Sequence, residues 1–326
     1  MKDSYGREIN YMRLSLTDKC NYRCKYCMPE EGIPDLGHDQ ILRYEELEAI
    51  VKASVELGIH KFRLTGGEPL VRRGIVDFVR NLKSIPGVAE LAMTTNGALL
   101  GDLAKPLRAA GLDRLNISLD SLRPTRFKEI TRCGNLEDVL EGINVATLEG
   151  FSPIKLNVVT MRGFNDDEIM DFVGLTMDHP YEVRFIELMP FSGNKDMSYG
   201  YISTEEIKAK LPLLIPIDQG SQEAGVAEMY SYPGSKGHIG FISPLSHCFC
   251  PSCNKVRITS DGKLKTCLHS NNEYDLKPFL KEYANGNFDI EKLKSFIEQA
   301  ILAKEECHHL QPGKATVDRD MNKIGG

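Results

Sequence analysis

Strand-like and helix-like segments alternate between residues 11 and 187, and this rhythm constrains the fold more than any other feature of the chain. Runs at 11–16, 61–64, 88–93, 114–118, 154–159 and 182–187 read as strands. Helical spacing recurs at 44–57, 75–82, 99–110, 136–149 and 166–177. In the first of these Leu47, Ile50, Val51 and Val55 share a face, and Gly58 ends the segment. Six strand–helix units in succession predict an α/β fold with a parallel sheet and helices outside it. Eight units would close a TIM barrel. Six predict an incomplete (βα)6 TIM-type barrel, open on one side, with a doubly wound open sheet as the alternative. Either arrangement gathers a ligand site at the carboxyl ends of the strands.

The residues at those ends are chemically suggestive. The first strand runs into Cys20-Asn21-Tyr22-Arg23-Cys24-Lys25-Tyr26-Cys27, a Cys-x3-Cys-x2-Cys spacing. So tight a loop can aim three sulfurs at one point, and thiolates suit iron–sulfur clusters and zinc. Three ligands are one short of a closed structural site. A 4Fe-4S cluster held this way keeps one iron open for a substrate or cofactor. The competing readings are a structural zinc with a remote fourth ligand and three unrelated buried cysteines. Thr65-Gly66-Gly67-Glu68-Pro69 follows the second strand, and Thr94-Thr95-Asn96-Gly97 the third. Ser118 ends the fourth, and Met189 follows the sixth. The glycines allow close backbone approach to a ligand, and Glu68 can accept from an amine; a plain strand-to-helix turn is the alternative.

Past about residue 195 the rhythm breaks, dividing the chain into 1–195 and an extension, 196–326. The extension reads as a helix at 204–211, a proline- and glycine-rich stretch at 212–237, and helices at 274–283 and 290–304. Strands at 255–259 and 263–265 flank Asp261-Gly262, a strong hairpin signal. That hairpin folds Cys267 back toward Cys250-Pro251-Ser252-Cys253, giving a second three-thiol group. A zinc ribbon completed by Cys248 or His247 is the alternative. The pairing of two incomplete three-cysteine sites in one chain favours a second cluster. Cys133 and Cys307 read as packing residues or inert thiols, and His308-His309 as a solvated surface pair.

Composition narrows the partners. Net charge of −6 argues against broad binding to nucleic acid or an anionic membrane, so an anionic substrate needs a local basic pocket. Arg13, Arg63 and Lys155 supply one candidate, because they interrupt predicted parallel strands that should be mostly apolar. Nine cysteines, odd in number and bunched at two places, fit reduced metal-binding use rather than a disulfide scaffold. Residues 1–7 lack the apolar core of a signal peptide, and no stretch is long enough to span a bilayer, so a cytoplasmic location is expected. The oligomeric state stays open, a homodimer included.

Taken together, the cysteine loop, the pattern Cys-x2-Cys-Asn-x-x-Arg with a distant cysteine, and the terminal Gly325-Gly326 resemble the GTP 3′,8-cyclase family of molybdenum cofactor biosynthesis, within the radical S-adenosylmethionine (SAM) superfamily. Tyr26 matches the aromatic position usual in the loop. The resemblance implies one 4Fe-4S cluster on Cys20, Cys24 and Cys27 that cleaves SAM, and another on Cys250, Cys253 and Cys267 that holds the guanine of GTP. An electron donor is needed. The 5′-deoxyadenosyl radical would then take hydrogen from the ribose 3′ carbon, which attacks guanine C8. By the same resemblance Tyr26, Gly67, Glu68, Ser118, Asn157 and Met189 bind SAM. Arg13, Arg63, Thr94, Lys155, Lys255, Val256 and Arg257 bind GTP, with Arg257, Gly325 and Gly326 serving the catalytic step. Lys255 stands where the family usually has arginine, which keeps the charge and loses the planar fork. A radical SAM enzyme acting on a peptide, and a non-catalytic zinc or electron-transfer protein, are the alternatives.

Overall fold

The computed structural model describes residues 1–32, 37, 39–190, 199–218, 226–284, 289–308, 310 and 317–325, with the side chains of 282–284 excepted. Six strands form the centre: β1 (Tyr11–Ser15), β2 (Lys61–Thr65), β3 (Glu90–Thr95), β4 (Arg114–Ser118), β5 (Lys155–Thr160) and β6 (Glu182–Glu187). Between them run α1 (Tyr44–Glu56), α2 (Ile75–Ser84), α3 (Leu100–Ala109), α4 (Pro124–Thr131), α5 (Leu136–Leu148) and α6 (Ile169–Asp178). Each of the six strands pairs in parallel with the next. The extension contributes α7 (Thr204–Ala209), β7 (Ile215–Pro216), β8 (Glu228–Ser231), β9 (His238–Ile242), β10 (Lys255–Ile258), β11 (Lys263–Lys265), β12 (Tyr274–Asp275), α8 (Lys277–Ala284), α9 (Ile290–Leu302) and α10 (Met321–Ile324).

Among the described residues the extension forms no separate sheet. One sheet of 12 strands runs in the order β12-β11-β10-β1-β2-β3-β4-β5-β6-β9-β8-β7. β10 pairs in parallel with β1, and β9 in parallel with β6, so extension strands cover both edges of the six-strand barrel. β10 and β11 make the antiparallel hairpin expected around Asp261-Gly262. Helix α9 returns to pack on α1.

Side chains alternate strictly across the barrel wall, the period-2 rule of extended chain. Met12, Leu14, Phe62, Leu64, Leu115, Ile117, Leu156 and Phe185 point outward and are buried beneath the helices. Each such side chain contributes about 1.5–3 kcal/mol of burial. The residues between them are mostly polar and turn inward. A parallel strand with apolar residues on both faces was the general expectation; here the inner face is left free for a ligand.

Three elements depart from the sequence reading. Helix α4 escaped it because eight residues carry little periodicity; its signal was Pro124 at the first helical turn followed by buried Phe127 and Ile130. The stretch at 212–237, read only as rich in proline and glycine, contains β7 and β8, and β9 follows it at once. The expected helix at 274–283 begins as strand β12, whose Asp275 then accepts the Lys277 amide at 3.0 Å to start α8.

Candidate functional site

A cavity of about 930 Å³ fills the barrel, lined from the first strand residues, such as Lys61 and Lys155, to the last, such as Thr95 and Ser118. All six cysteines of the two groups face it. Their positions follow from strand polarity. Cys20, Cys24 and Cys27 lie after β1, at the carboxyl end. Cys250 and Cys253 precede β10, which is parallel to β1, and Cys267 follows the antiparallel β11. The second group therefore sits at the opposite, amino-terminal end.

The first cysteine loop is built onto the end of α4. Its Arg23 and Lys25 amides donate to the Thr131 and Ile130 carbonyls at 3.0 and 2.9 Å. Arg132, held at φ +64°, donates to the carbonyls of Arg23 and Met28 at 2.6 and 3.0 Å. Tyr22 packs edge-on against Phe127. Tyr26 turns its ring to the cavity and donates its hydroxyl to Asp120 at 2.7 Å, while Asp120 also accepts the Val159 amide at 2.8 Å. Burial pushes the Cys20 and Cys27 thiols up to about 11 and about 12, and Asp120 up to about 6. Thiols this reluctant ionise when a metal replaces the proton.

The Gly-Gly-Glu-Pro turn nests directly beneath this loop. Gly67 donates to the Thr17 carbonyl at 2.7 Å, and a Cβ on it would stand 2.3 Å from the Lys19 carbonyl oxygen. Glycine is required here for contact with the cysteine loop as well as for exposure to the cavity. Glu68 is not on the cavity wall. Its fully buried carboxylate accepts from the Leu70 amide at 3.0 Å, the Thr95 hydroxyl at 2.8 Å and the Asn96 amide at 2.7 Å. The expected acceptor for a methionyl amine is instead the pin between two strand-end loops, with burial raising it to about 7 against those three donors.

Cations crowd the middle of the barrel. Arg257, Arg13 and Arg63 occupy one register row across β10, β1 and β2. Like charges directly opposite on neighbouring strands repel. Burial and Arg63 hold Arg13 below its ordinary value, while burial and Arg13 bring Arg257 down to about 9. Lys255 and Lys155 both fall to about 8, each chiefly by burial. Glu182 bridges Lys155 and Arg184 at 3.3 and 2.5 Å. The Nε atoms of Arg13 and Arg63 and the Oδ1 atoms of Asn116 and Asn157 are buried without hydrogen-bond partners among the described residues. Buried polar atoms of this kind are met by water, an ion or a ligand in the cavity. Thr94, Ser118, Asn157 and Met189 also line the cavity. Val256 does not: it lies between two inward cations and points outward into the apolar core, so alternation removes its side chain from the site.

The second cysteine group has a different electrostatic setting. Burial raises the Cys253 thiol, but Lys304, the Lys255 amide and ammonium, and Arg7 more than offset it and leave it below the ordinary value. His308, expected as a solvated residue, is half-buried with its ring 5.6 Å from that of His269, and both line the cavity. Its amide donates to Cys250 Sγ at 3.4 Å. His309 lies outside the described residues.

The tail docks against the carboxyl end of the barrel. Asn322 donates to the Asp18 carbonyl at 3.0 Å, and Met321 and Asn322 reach the cavity. Arg319 forks onto Asp261 through two 3.0 Å bonds and reaches Glu273 at 2.7 Å. Gly325 is buried at φ +75° against Ser15 and Thr65, and its carbonyl accepts from Arg257 at 3.1 Å. Gly326 lies outside the described residues. Sequence reasoning missed Asn116, Asp120, Arg184 and Glu182. All four follow the alternation that marked Arg13 and Lys155.

A three-cysteine loop after the first strand of an open α/β barrel defines a radical SAM protein, and residues 14–176 match the Radical SAM superfamily while 181–310 match Molybdenum Cofactor Synthesis C. The crystal structure of Streptococcus suis SuiB bound to S-adenosylmethionine shares the fold, with a TM-score of 0.64 at 12% identity over 97% of this chain and 77% of that one. The GTP 3′,8-cyclases of Alkaliphilus metalliredigens and Alkaliphilus oremlandii are each 49% identical across 100% of both chains. That of Peptoclostridium acidaminophilum is 50% identical over 99% of this chain and 98% of its own. The chain belongs to the GTP 3′,8-cyclase family. Membership implies a 4Fe-4S cluster with SAM, and a second cluster in the carboxyl-terminal cysteine group. The donor sets fit: each is three sulfurs facing one cavity.

Proposed function

We infer that the protein is a radical SAM lyase that converts GTP to (8S)-3′,8-cyclo-7,8-dihydroguanosine 5′-triphosphate in molybdenum cofactor biosynthesis. The observation that carries this reading is the arginine row inside a barrel with a cysteine triad at each end. Three like charges held in register are unfavourable until an anion lies among them, and a triphosphate supplies that anion. When bound, the cluster on Cys20, Cys24 and Cys27 supplies the electron that opens the sulfonium of SAM, and the cluster on Cys250, Cys253 and Cys267 anchors the purine.

The chain's own residues do the positioning. Arg13, Arg63 and Arg257 neutralise phosphate oxygens, and Lys155, Lys255 and Thr94 complete the anion site. Asp120 fixes the Tyr26 ring, and Glu68 fixes the loop in which Gly67 offers its backbone to SAM, with Ser118, Asn157 and Met189 completing that end. Arg257 holds the tail through the Gly325 carbonyl, and the terminal glycines serve the catalytic step. The extension strands lengthen the barrel wall at both edges, which shields the carbon radical chemistry from water. Residues 1–195 carry the SAM-facing half and 196–326 the second cluster. The reading also requires an electron donor from outside the chain and a reducing compartment, the cytoplasm, in keeping with nine free cysteines. Cations collected inside the barrel favour a small anion over a nucleic acid.

The deciding experiment uses GTP deuterated at C3′ with the anaerobically reconstituted protein, SAM and a reductant. Deuterium should appear in 5′-deoxyadenosine, beside a cyclic isomer of GTP. Protein that cleaves SAM yet leaves the label in GTP would refute the assignment.

A further inference from the structure

The second cysteine group contains donors that the family assignment leaves unused. The ligand atoms of Cys248, Cys250 and His308 all lie within 4.8 Å of one another. Cys248 is exposed and does not line the cavity, whereas Cys250 and His308 do. The three therefore bridge the outer surface and the barrel interior. His308 is lightly committed: Nδ1 accepts the Leu310 amide at a long 3.3 Å, and Nε2 is buried without a hydrogen-bond partner among the described residues.

We propose that Cys248, Cys250 and His308 form a binding site for a single Zn2+ ion. Two thiolates and an imidazole are the donor types that zinc favours, and a fourth position is left for water or a neighbouring sulfur. In a tetrahedral site with Zn–S near 2.3 Å and Zn–N near 2.0 Å, donors stand roughly 3.5 Å apart. The 4.8 Å limit leaves about 1 Å to close, and the exposed Cys248 can supply it. Binding transfers the Cys248 and Cys250 thiol protons to solvent, takes the imidazole neutral, and moves no electron. The resulting centre carries no net charge.

Cys250 belongs to both donor sets. A zinc ion on Cys248, Cys250 and His308 and a cluster on Cys250, Cys253 and Cys267 exclude one another, so this end of the barrel is a point of metal choice. The zinc site stands without the cyclase reading; only the exclusion rests on it.

The test uses the full chain with Cys20→Ser, Cys24→Ser and Cys27→Ser, anaerobic and free of iron, titrated with Co2+ as a coloured substitute for Zn2+. One Co2+ per chain should bind with tetrahedral d–d bands, sulfur-to-metal charge transfer and release of two protons, and Zn2+ should displace it. Cys248→Ser and His308→Ala should each weaken binding tenfold or more, Cys248→His should retain it, and Cys267→Ser should leave it unchanged. A spectrum lost with Cys267→Ser but indifferent to Cys248→Ser and His308→Ala would assign the ion to the other triad and overturn the proposal. So would the absence of a tetrahedral spectrum from a chain whose circular dichroism is native. In the unmodified chain, Zn2+ added before iron and sulfide should halve iron loading, and Cys248→Ser should abolish that effect. Iron loading indifferent to zinc, with the Co2+ site intact, would overturn the exclusion alone.

Discussion

Arg13 sits between two arginines of the same register row, so their repulsion burdens the ligand-free barrel, and in the proposed function the same guanidinium meets an anion. Arg13→Gln should raise the Tm of the ligand-free protein, relieving about 0.5–1 kcal/mol of repulsion. It should also weaken GTP binding about tenfold or more, since a hydrogen bond to a charged group contributes about 1.5–3 kcal/mol. Thermal unfolding beside equilibrium binding checks both; a fall in Tm would make Arg13 a structural residue. Lys155 carries a pH signature. Burial and then Arg184 hold it near pH 8, below its unfolded value, so the unfolded chain binds more protons between about pH 8 and 10.5 and this group adds stability as pH rises through that window. In the folded protein its charge is lost around pH 8, so in the proposed function GTP affinity should fall from pH 7 to pH 9. Lys155→Gln should lessen that fall, leaving the share that Lys255 carries, as calorimetric titration at both pH values would show. Arg13, Arg63 and Lys155 were legible because a cation inside a parallel strand is chemically out of place. Arg184 in β6 carries the same mark, and Asn116 in β4 and Asp120 just past its end continue the inward polar alternation, but no motif drew attention to them. Glu68 was legible as important and not in its role, because whether a carboxylate meets a ligand or three local donors depends on contacts between loops distant in sequence.

The cysteine loop owes its shape to an element that short-range periodicity did not reveal. Helix α4 presents Ile130, Thr131 and Arg132 to the loop backbone, and Arg132 holds two carbonyls at once. Arg132→Ala should leave the fold intact and loosen the loop by about 2 kcal/mol. Faster iron loss to a chelator, with unchanged circular dichroism, is the expected result. Gly67→Ala tests the neighbouring turn. Its new methyl group meets the Lys19 carbonyl, and overpacking of this kind costs about 1–3 kcal/mol. SAM affinity should fall with Tm, because the two loops move together. Long helices and strands with clean alternation were legible; β7, β8 and β9 were not, since glycine and proline signal turns and only long-range pairing shows that short strands fill the gaps.

Across the molecule, the cysteine triads stand at opposite ends of one cavity, so their losses should have different consequences. Cys24→Ala should abolish SAM cleavage, whereas Cys253→Ala should spare uncoupled cleavage and stop product formation. Chromatography of 5′-deoxyadenosine and the cyclised nucleotide separates the two; equal loss of cleavage would count against the division. Deleting Gly325 and Gly326 should stop cyclisation at full iron content, with Arg257 losing the carbonyl it holds. The single sheet has a further consequence. β1 and β6 each complete their backbone pairing with a strand that comes after residue 195. A fragment ending there would present two raw hydrogen-bonding margins to its neighbours, an invitation to intermolecular β-pairing. Expressed alone, the amino-terminal half should accumulate as insoluble aggregate, and co-expression of the missing half in trans should recover it.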